Sequence, residues 1–405
     1  MTFNGADLPV GFEVSGFRWA GVPCGIKGLG QPDLALIFSD TPCQVAGLFT
    51  TNRVKGAPVI LTQERVKKSK VQAVIINSGN ANAGTGQRGI KDAQEMAART
   101  ARGLGISEEA VLVCSTGRIG EWLPMVKIRK GIGPLVSSLT SRGYREAAEA
   151  IRTTDRYPKI VGRRERFGGR WVNFLAICKG AGMIQPGLAT MLSFMATDLR
   201  IGRRTLGTAV RKAVDESFNC ISVDGQRSTN DTVLVMANGL AGNGPLEGNP
   251  VEEKRLQDLL TKMHLALAKA IIKDGEGASR LLEITVKGAL SRTQAKKGAF
   301  AVANSSLVKT AFFGQQLNWG RIISALGAAD IDLYPDRLDI SIGGVKVVKG
   351  GVKVSAAAEN KAARALKEDE IKVMVDLNMG EAQAGVFASD LTYDYVRLNA
   401  SHEGH

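Results

Sequence analysis

Two apolar periodicities coexist along this chain, and together they restrict it to a layered mixture of sheet and helix. Leu282-Glu283-Ile284-Thr285-Val286-Lys287, Leu338-Asp339-Ile340-Ser341-Ile342 and Ile371-Lys372-Val373-Met374-Val375-Asp376-Leu377 alternate apolar with polar side chains, the pattern of strands buried on one face. Residues 34–38, 71–76 and 111–114 are apolar almost throughout, as strands covered on both faces are. Helical stripes run between these segments. Leu256, Leu259, Leu260, Met263, Leu267 and Ile271 share one face at a period of 3.6, as do Leu206, Val210, Val214 and Phe218. A further helix is expected from about residue 92 to residue 102, ending at Gly103. A hairpin around Ile342-Gly343-Gly344-Val345 beside long helices predicts a mixed α/β (α+β) fold, not strict βα alternation.

At 405 residues the chain has room for two or three domains, and 44% hydrophobic with 23% charged residues excludes wholesale disorder. The net charge of +14 attracts anions, whether small carboxylates, phosphates or nucleic acid, without choosing among them. Residues 152–170 concentrate the charge, with Arg152, Arg156, Lys159, Arg163, Arg164, Arg166 and Arg170 against Asp155 and Glu165. Only Tyr157 and Phe167 interleave aromatic faces there, so a solvated basic face is expected and no nucleic acid partner. The cysteines at 24, 43, 114, 178 and 220 form no CxxC pair and histidines number three, so neither a disulfide framework nor a metal site is legible. The N-terminal residues lack a basic start with an apolar core, and no apolar run reaches 18 residues. The expectation is a cytoplasmic protein with no membrane contact.

The segment from Lys179 to Asp198 is the most unusual. Gly180, Gly182, Pro186 and Gly187 precede Leu188-Ala189-Thr190. By composition this is first a buried loop entering a core strand. A sharper reading starts from the weakness of a threonine hydroxyl as a nucleophile. Cutting the chain before Thr190 would free an α-amine, with a pKa near 8, able to take the hydroxyl proton. Acyl transfer also requires donors aimed at the developing oxyanion. Ser115-Thr116-Gly117-Arg118-Ile119-Gly120, expected as a turn after the apolar strand, either supplies them or simply ends the strand. Asn77 to Gly86 is a site wall or a satisfied tight loop. Glu276, within Asp274-Gly275-Glu276-Gly277, falls at a junction of helix and strand, and the run 223–232 reads as a structured loop.

These residues, in this order, resemble the ornithine acetyltransferase (glutamate N-acetyltransferase) family of self-cleaving N-terminal-nucleophile enzymes. The matching pieces are Gly79-Asn80-Ala81-Asn82, Ser115-Thr116-Gly117, Thr153-Thr154-Asp155 with Pro158-Lys159, Lys179-Gly180-Ala181-Gly182-Met183 through Ala189-Thr190-Met191-Leu192, Ser222-Val223-Asp224-Gly225, Ser228-Thr229-Asn230-Asp231, Asp274-Gly275-Glu276-Gly277, Asn318-Trp319-Gly320-Arg321 and Tyr393-Asp394-Tyr395-Val396. The resemblance implies an αββα-like sandwich and cleavage between Ala189 and Thr190. It would yield an α chain of residues 1–189 and a β chain of residues 190–405 with a smaller C-terminal α/β subdomain. It implies ping-pong acetyl transfer from N2-acetylornithine to glutamate through Thr190, in arginine biosynthesis, by an α2β2 heterotetramer. Thr116 and Gly117 fall on the family's oxyanion-hole positions, and Thr153, Lys179, Glu276 and Asn399 on its substrate-binding positions. No metal or organic cofactor is implied, with acetyl-CoA as an alternative acetyl donor.

A lysine such as Lys179 suits a substrate carboxylate, and a carboxylate such as Glu276 suits an amino group. The chain departs from the family at its end, where Asn399 is followed by Ala400-Ser401-His402-Glu403-Gly404-His405 in place of a terminal threonine, and at Arg118, where an apolar residue is expected. Two other readings compete: a self-cleaving amidohydrolase or aminopeptidase with water as acceptor, and a polyanion-binding protein.

Overall fold

The computed structural model describes residues 8–9, 11–28, 30–68, 70–185 and 191–401. Strands β1 (Phe17–Val22), β2 (Leu34–Phe49), β3 (Val71–Asn80), β4 (Val111–Arg118), β5 (Lys159–Phe167), β6 (Arg170–Lys179), β7 (Leu192–Thr197), β8 (Ile221–Ser222) and β9 (Thr232–Ala237) come first. A second set follows: β10 (Leu281–Ala289), β11 (Asp339–Ile342), β12 (Val345–Lys349), β13 (Val352–Lys353), β14 (Glu370–Asp376) and β15 (Ala382–Ser389).

Strand β2 turns a corner. Its first half pairs antiparallel with β1 and β3, from Leu34↔Asn77 to Phe38↔Ala73, and its second half, from Gln44, pairs antiparallel with β9. The register shift between Phe38 and Cys43 marks the bend. One long strand therefore feeds two half-sheets, β1-β2-β3-β4 and β2-β9-β7-β6-β5. Ile37, Val74, Ile76 and Leu112 from the first meet Leu175, Ile177, Phe194 and Leu234 from the second in one core. On the outside, helices Gly86–Leu104 and Met125–Ser137 cover Leu36, Ile75 and Val113. Helices Arg203–Asp215 and Pro250–Lys273 cover Phe174, Met195 and Val235. The order is helix, sheet, sheet, helix. Because every sheet layer is covered on both faces, its strands read as unbroken apolar runs.

The C-terminal sheet runs β13-β12-β11-β14-β10-β15-β8. Leu282, Ile284 and Val286 of β10 and Ile371, Val373 and Val375 of β14 face helices Arg292–Asn304, Ser306–Phe313 and Trp319–Gly327. Their alternate residues stay partly exposed, as the period of two requires. The expected hairpin is present, with Ile342 opposite Val345. Strand β8 pairs with β15, and Leu281 and Phe387 pack with helix Pro250–Lys273, which seats this unit on the sandwich.

Three local expectations change. The helix runs through Gly103 and stops at Gly105, whose φ of +68° is the left-handed conformation that ends a helix, while Gly103 packs on Val136. Phe218 lies past its helix in the short turn Phe218–Cys220, although it remains buried. Strand β4 continues through Thr116 and Gly117 to Arg118 in place of turning after Cys114, with an irregularity opposite Gly79 and Asn80.

Candidate active site

The ends of β3 and β4 form one wall. Ser115 donates to Asn77 Oδ1 at 2.6 Å and Asn77 to the Asn80 carbonyl at 2.8 Å. Asn230 Nδ2 bridges the carbonyls of Ala81 (2.6 Å) and Ser115 (2.9 Å). These amides satisfy buried backbone that neither strand can pair, so the 223–232 run is a structural brace here. Thr116 is buried. Gly117 has φ +132°, and a Cβ there would lie 2.3 Å from the Gly79 carbonyl carbon. Only glycine lets the two strand ends come this close. Arg118 is exposed and sits 3.6 Å from Glu121, so its charge is turned to solvent.

Lys179 closes β6, opposite Leu192. It is buried, and its Nζ donates to Thr116 Oγ1 at 3.1 Å. Burial pushes this ammonium below the usual lysine range and Lys159 adds to the effect, while Asp155 opposes it. Asp155 organises the adjoining turn. Its carboxylate accepts from Gly180 N–H (2.7 Å), Thr153 N–H (3.1 Å) and Lys159 Nζ (2.6 Å). Lys159 Nζ also meets Asp274 at 2.6 Å, and Asp274 accepts from Arg156 Nε at 2.9 Å. The side chains of Lys159, Asp155 and Asp274 are all fully buried. Burial alone would raise the Asp155 carboxyl, but Lys159, Lys179 and the Gly180 amide outweigh it and hold it below the ordinary range. Lys159 is raised because its two carboxylates outweigh its desolvation.

Glu276 follows Asp274 by two residues. Its N–H donates to the Ala181 carbonyl at 3.0 Å, and Asn399 Nδ2 donates to its carboxylate at 2.9 Å. Gly182 faces that carboxylate so closely that a Cβ would sit 2.4 Å from Oε1. Gly277, at φ +65°, gives its carbonyl to Thr392 Oγ1 (2.7 Å), which ties the turn to the helix Tyr393–Ala400 bearing Asn399. Glu276 is near enough for its charge to act on Lys179.

Ala189 and Thr190 lie outside the described residues, as do residues 402–405. The segments flanking 186–190 are anchored by acids. Asp224 accepts from Met183 and Ile184 N–H (2.6 and 2.9 Å), and the fully buried Asp231 accepts from Met191 N–H at 3.1 Å.

The ArgJ family model matches residues 18–404. The chain belongs to the ArgJ family. The "Arginine biosynthesis bifunctional protein ArgJ" of Geobacter sulfurreducens is 49% identical over 390 residues, covering 96% of this chain and 99% of that protein. Its namesake from Symbiobacterium thermophilum is 46% identical, covering 98% of each. A solved structure of the Bacillus halodurans protein of that name is 39% identical, covers 50% of this chain and 95% of its own, and has a TM-score of 0.48.

The structure brings the expected residues into two contacting pairs, Lys179 with Thr116 and Glu276 with Asn399, and joins Thr153 to the first through Asp155. Sequence reasoning passed over the Asp155–Lys159–Asp274 bridge, filing Lys159 with a solvated basic face. Arg156, Arg164, Arg166 and Arg170 of that stretch are exposed, and Arg164 and Arg166 stack on Trp171 with guanidinium carbons 5.1 and 5.6 Å from the ring centre, whereas Arg152 is half-buried and donates to the Asp155 carbonyl. The available signal was Lys159 itself, opening a strand whose next residues, Ile160 and Val161, are apolar. No described helix is long and apolar enough to cross a membrane.

Proposed function

We propose that this chain cleaves itself between Ala189 and Thr190 and then carries an acetyl group from N2-acetylornithine to glutamate on the Thr190 hydroxyl. The observation that carries this reading is the buried contact between Lys179 Nζ and Thr116 Oγ1, set beside the Glu276–Asn399 pair. A cation and a carboxylate then stand within electrostatic reach of each other, matched to an amino acid with a carboxylate at one end and an amine at the other.

In the first half-reaction the freed α-amine of Thr190 takes the hydroxyl proton as Oγ attacks the acetyl carbon. Negative charge moves to the acetyl oxygen, where Thr116 and Gly117, near the end of β4, supply donors. The C–N bond breaks, ornithine leaves with the proton, and Thr190 holds an acetyl ester. The amine of glutamate then attacks that ester, its proton returns through the α-amine, and N-acetylglutamate departs. Lys179 and Thr153 hold the carboxylate end, and Glu276 and Asn399 the ornithine side-chain amine. No metal or organic cofactor takes part, and acetyl-CoA is an alternative donor into the same ester. Residues 1–189 and 190–405 remain together as α and β chains in an α2β2 assembly in the cytoplasm. This places the chain in arginine biosynthesis, the role named for its relatives.

The test is the intact mass of the purified protein under denaturing conditions. Dividing 43.1 kDa between residues 1–189 and 190–405 gives fragments of about 20 and 23 kDa, and Thr190→Ala should leave one uncut, inactive chain. An uncut wild type, or cleavage that persists in Thr190→Ala, would refute the mechanism.

A further inference from the structure

The loop between β1 and β2 folds around one carboxylate. Asp33, fully buried just before β2, accepts the N–H groups of Cys24, Gly25, Ile26 and Lys27 at 2.5 to 3.1 Å. Its backbone carbonyl accepts from Ser78 N–H at 2.9 Å, so the loop is pinned to the end of β3. Four donors on one acid hold the Lys27 backbone in a single place beside the site wall.

The Lys27 side chain runs into that site. Its stem lies over Gly79, where a Cβ would come within 2.8 Å of Lys27 Cγ. Gly79 is the residue that Gly117 packs against. The Lys27 ammonium donates to the Arg152 carbonyl at 2.9 Å, one residue before Thr153. That turn is itself tied to β3, because Ser78 Oγ donates to the Ala150 carbonyl at 2.6 Å. Lys27 therefore reaches the Thr153 turn from the β1–β2 loop across the end of β3, and the turn's Asp155 also holds the Gly180 amide beside Lys179.

This cation is not used by the reading given above. It is half-buried and makes no ion pair among the described residues, with one neutral carbonyl as partner for its three N–H donors. Burial has pushed it down to about 8, with Arg152 and Lys179 pushing the same way against Asp33 and Asp155. A neutral side chain would cap the Arg152 carbonyl without desolvating a charge. A charge kept here is explained by an anion that it meets.

We propose that Lys27 binds the α-carboxylate of the amino-acid substrates together with Lys179. The inference rests on the acyl-transfer reading and adds a residue to its site. Donor and acceptor share that carboxylate, so one lysine serves both half-reactions.

The experiment uses full-length, self-cleaved protein with Lys27→Met and Lys27→Arg, assayed with N2-acetylornithine, its α-amide and glutamate. Lys27→Met should cleave completely by intact mass and raise KM for N2-acetylornithine and glutamate about tenfold or more, with kcat held within about threefold. Lys27→Arg should recover most of the loss, and the α-amide should be used equally by wild type and Lys27→Met. Should the methionine variant be insoluble, Lys27→Gln, which can still cap Arg152, must show the same rise in KM. Unchanged KM values, a fall in kcat alone, or a rise for glutamate only would overturn the proposal. An active wild type with unaffected variants refutes Lys27 alone, whereas a wild type without transfer refutes the acyl-transfer reading and this proposal with it.

Discussion

Lys159→Met tests the buried bridge most directly, because methionine retains most of the stem and removes only the cation. Lys159 Nζ lies 2.6 Å from Asp155 and 2.6 Å from Asp274, and all three side chains are fully buried. Removing one partner of a buried ion pair costs about 3 to 5 kcal/mol, since the charge left behind keeps its desolvation penalty. Asp274 keeps Arg156 at 2.9 Å, which puts the expected cost at the lower end, about 3 kcal/mol. Unfolding entropy of about 2.1 cal/mol/K per residue gives roughly 0.85 kcal/mol/K if the whole chain melts in one transition, so Tm should fall by about 3 to 4 °C. The pH dependence follows from the sign of the Asp155 shift. In the wild type its carboxyl is held down, so its stabilisation is present above the unfolded value near 4 and is lost only as pH falls through the lower folded value. Without Lys159 the carboxyl rises, and the variant's deficit, full at pH 7 to 8, should shrink as pH approaches 4. Thermal unfolding followed by circular dichroism at pH 7.5 and pH 4.5 measures both. A variant melting within about 1 °C of wild type at pH 7.5, or a deficit that grows on acidification, would show that the bridge does not work this way.

Gly117→Ala meets both a φ of +132° and a backbone carbon 2.3 Å away, so it should lower stability by about 1 to 3 kcal/mol and reduce kcat at least about a hundredfold; parent kinetics would remove Gly117 from the oxyanion role. Gly182→Ala puts a methyl 2.4 Å from Glu276 Oε1. Displacing that carboxylate should raise KM for N2-acetylornithine with a smaller effect on glutamate, and initial rates with each substrate varied in turn will tell. Asn399→Ala removes a 2.9 Å hydrogen bond to Glu276 and a 3.0 Å bond to the Tyr395 carbonyl one turn back, both at an exposed position. It should leave Tm unchanged within measurement and raise the same KM only about threefold.

The strands of the sandwich were legible in the sequence because its sheets are covered on both faces, while the αββα-like layering came from the family resemblance. Residues 71–76 and 111–114 needed no polar alternation, and they lie side by side as β3 and β4. The C-terminal sheet was legible for the opposite reason, since one half-exposed face imposes a period of two on β10 and β14. What periodicity could not reveal was the length of β4. Cys114 looks like the end of a strand because the next residues are polar, yet Ser115 and Thr116 are buried against Asn77 and Lys179, partners from β3 and β6. A polar residue paired in the interior looks, in one dimension, like a residue in a loop.

The same limit hid the bridge, which joins the two turns that carry the proposed site. Asp155 holds the Thr153 turn and the amide of Gly180, which follows Lys179, while Asp274 precedes Glu276 by two residues at the end of helix Pro250–Lys273. Among the described residues the side chain that bonds to both acids is Lys159, 115 residues from Asp274 in the chain and 2.6 Å from it in space. On the proposed reading, the residues for the substrate carboxylate and those for its amine are thus tied together by one lysine and two acids in a dry interior, where a misplaced charge is costly and the geometry is correspondingly stiff. The proposed transfer, with two amino acids of different side-chain charge taking turns on one nucleophile, needs a fixed distance between these groups. It follows that Lys159→Met should impair transfer more than its few degrees of lost stability would suggest, with Thr153, Lys179 and Glu276 all still present.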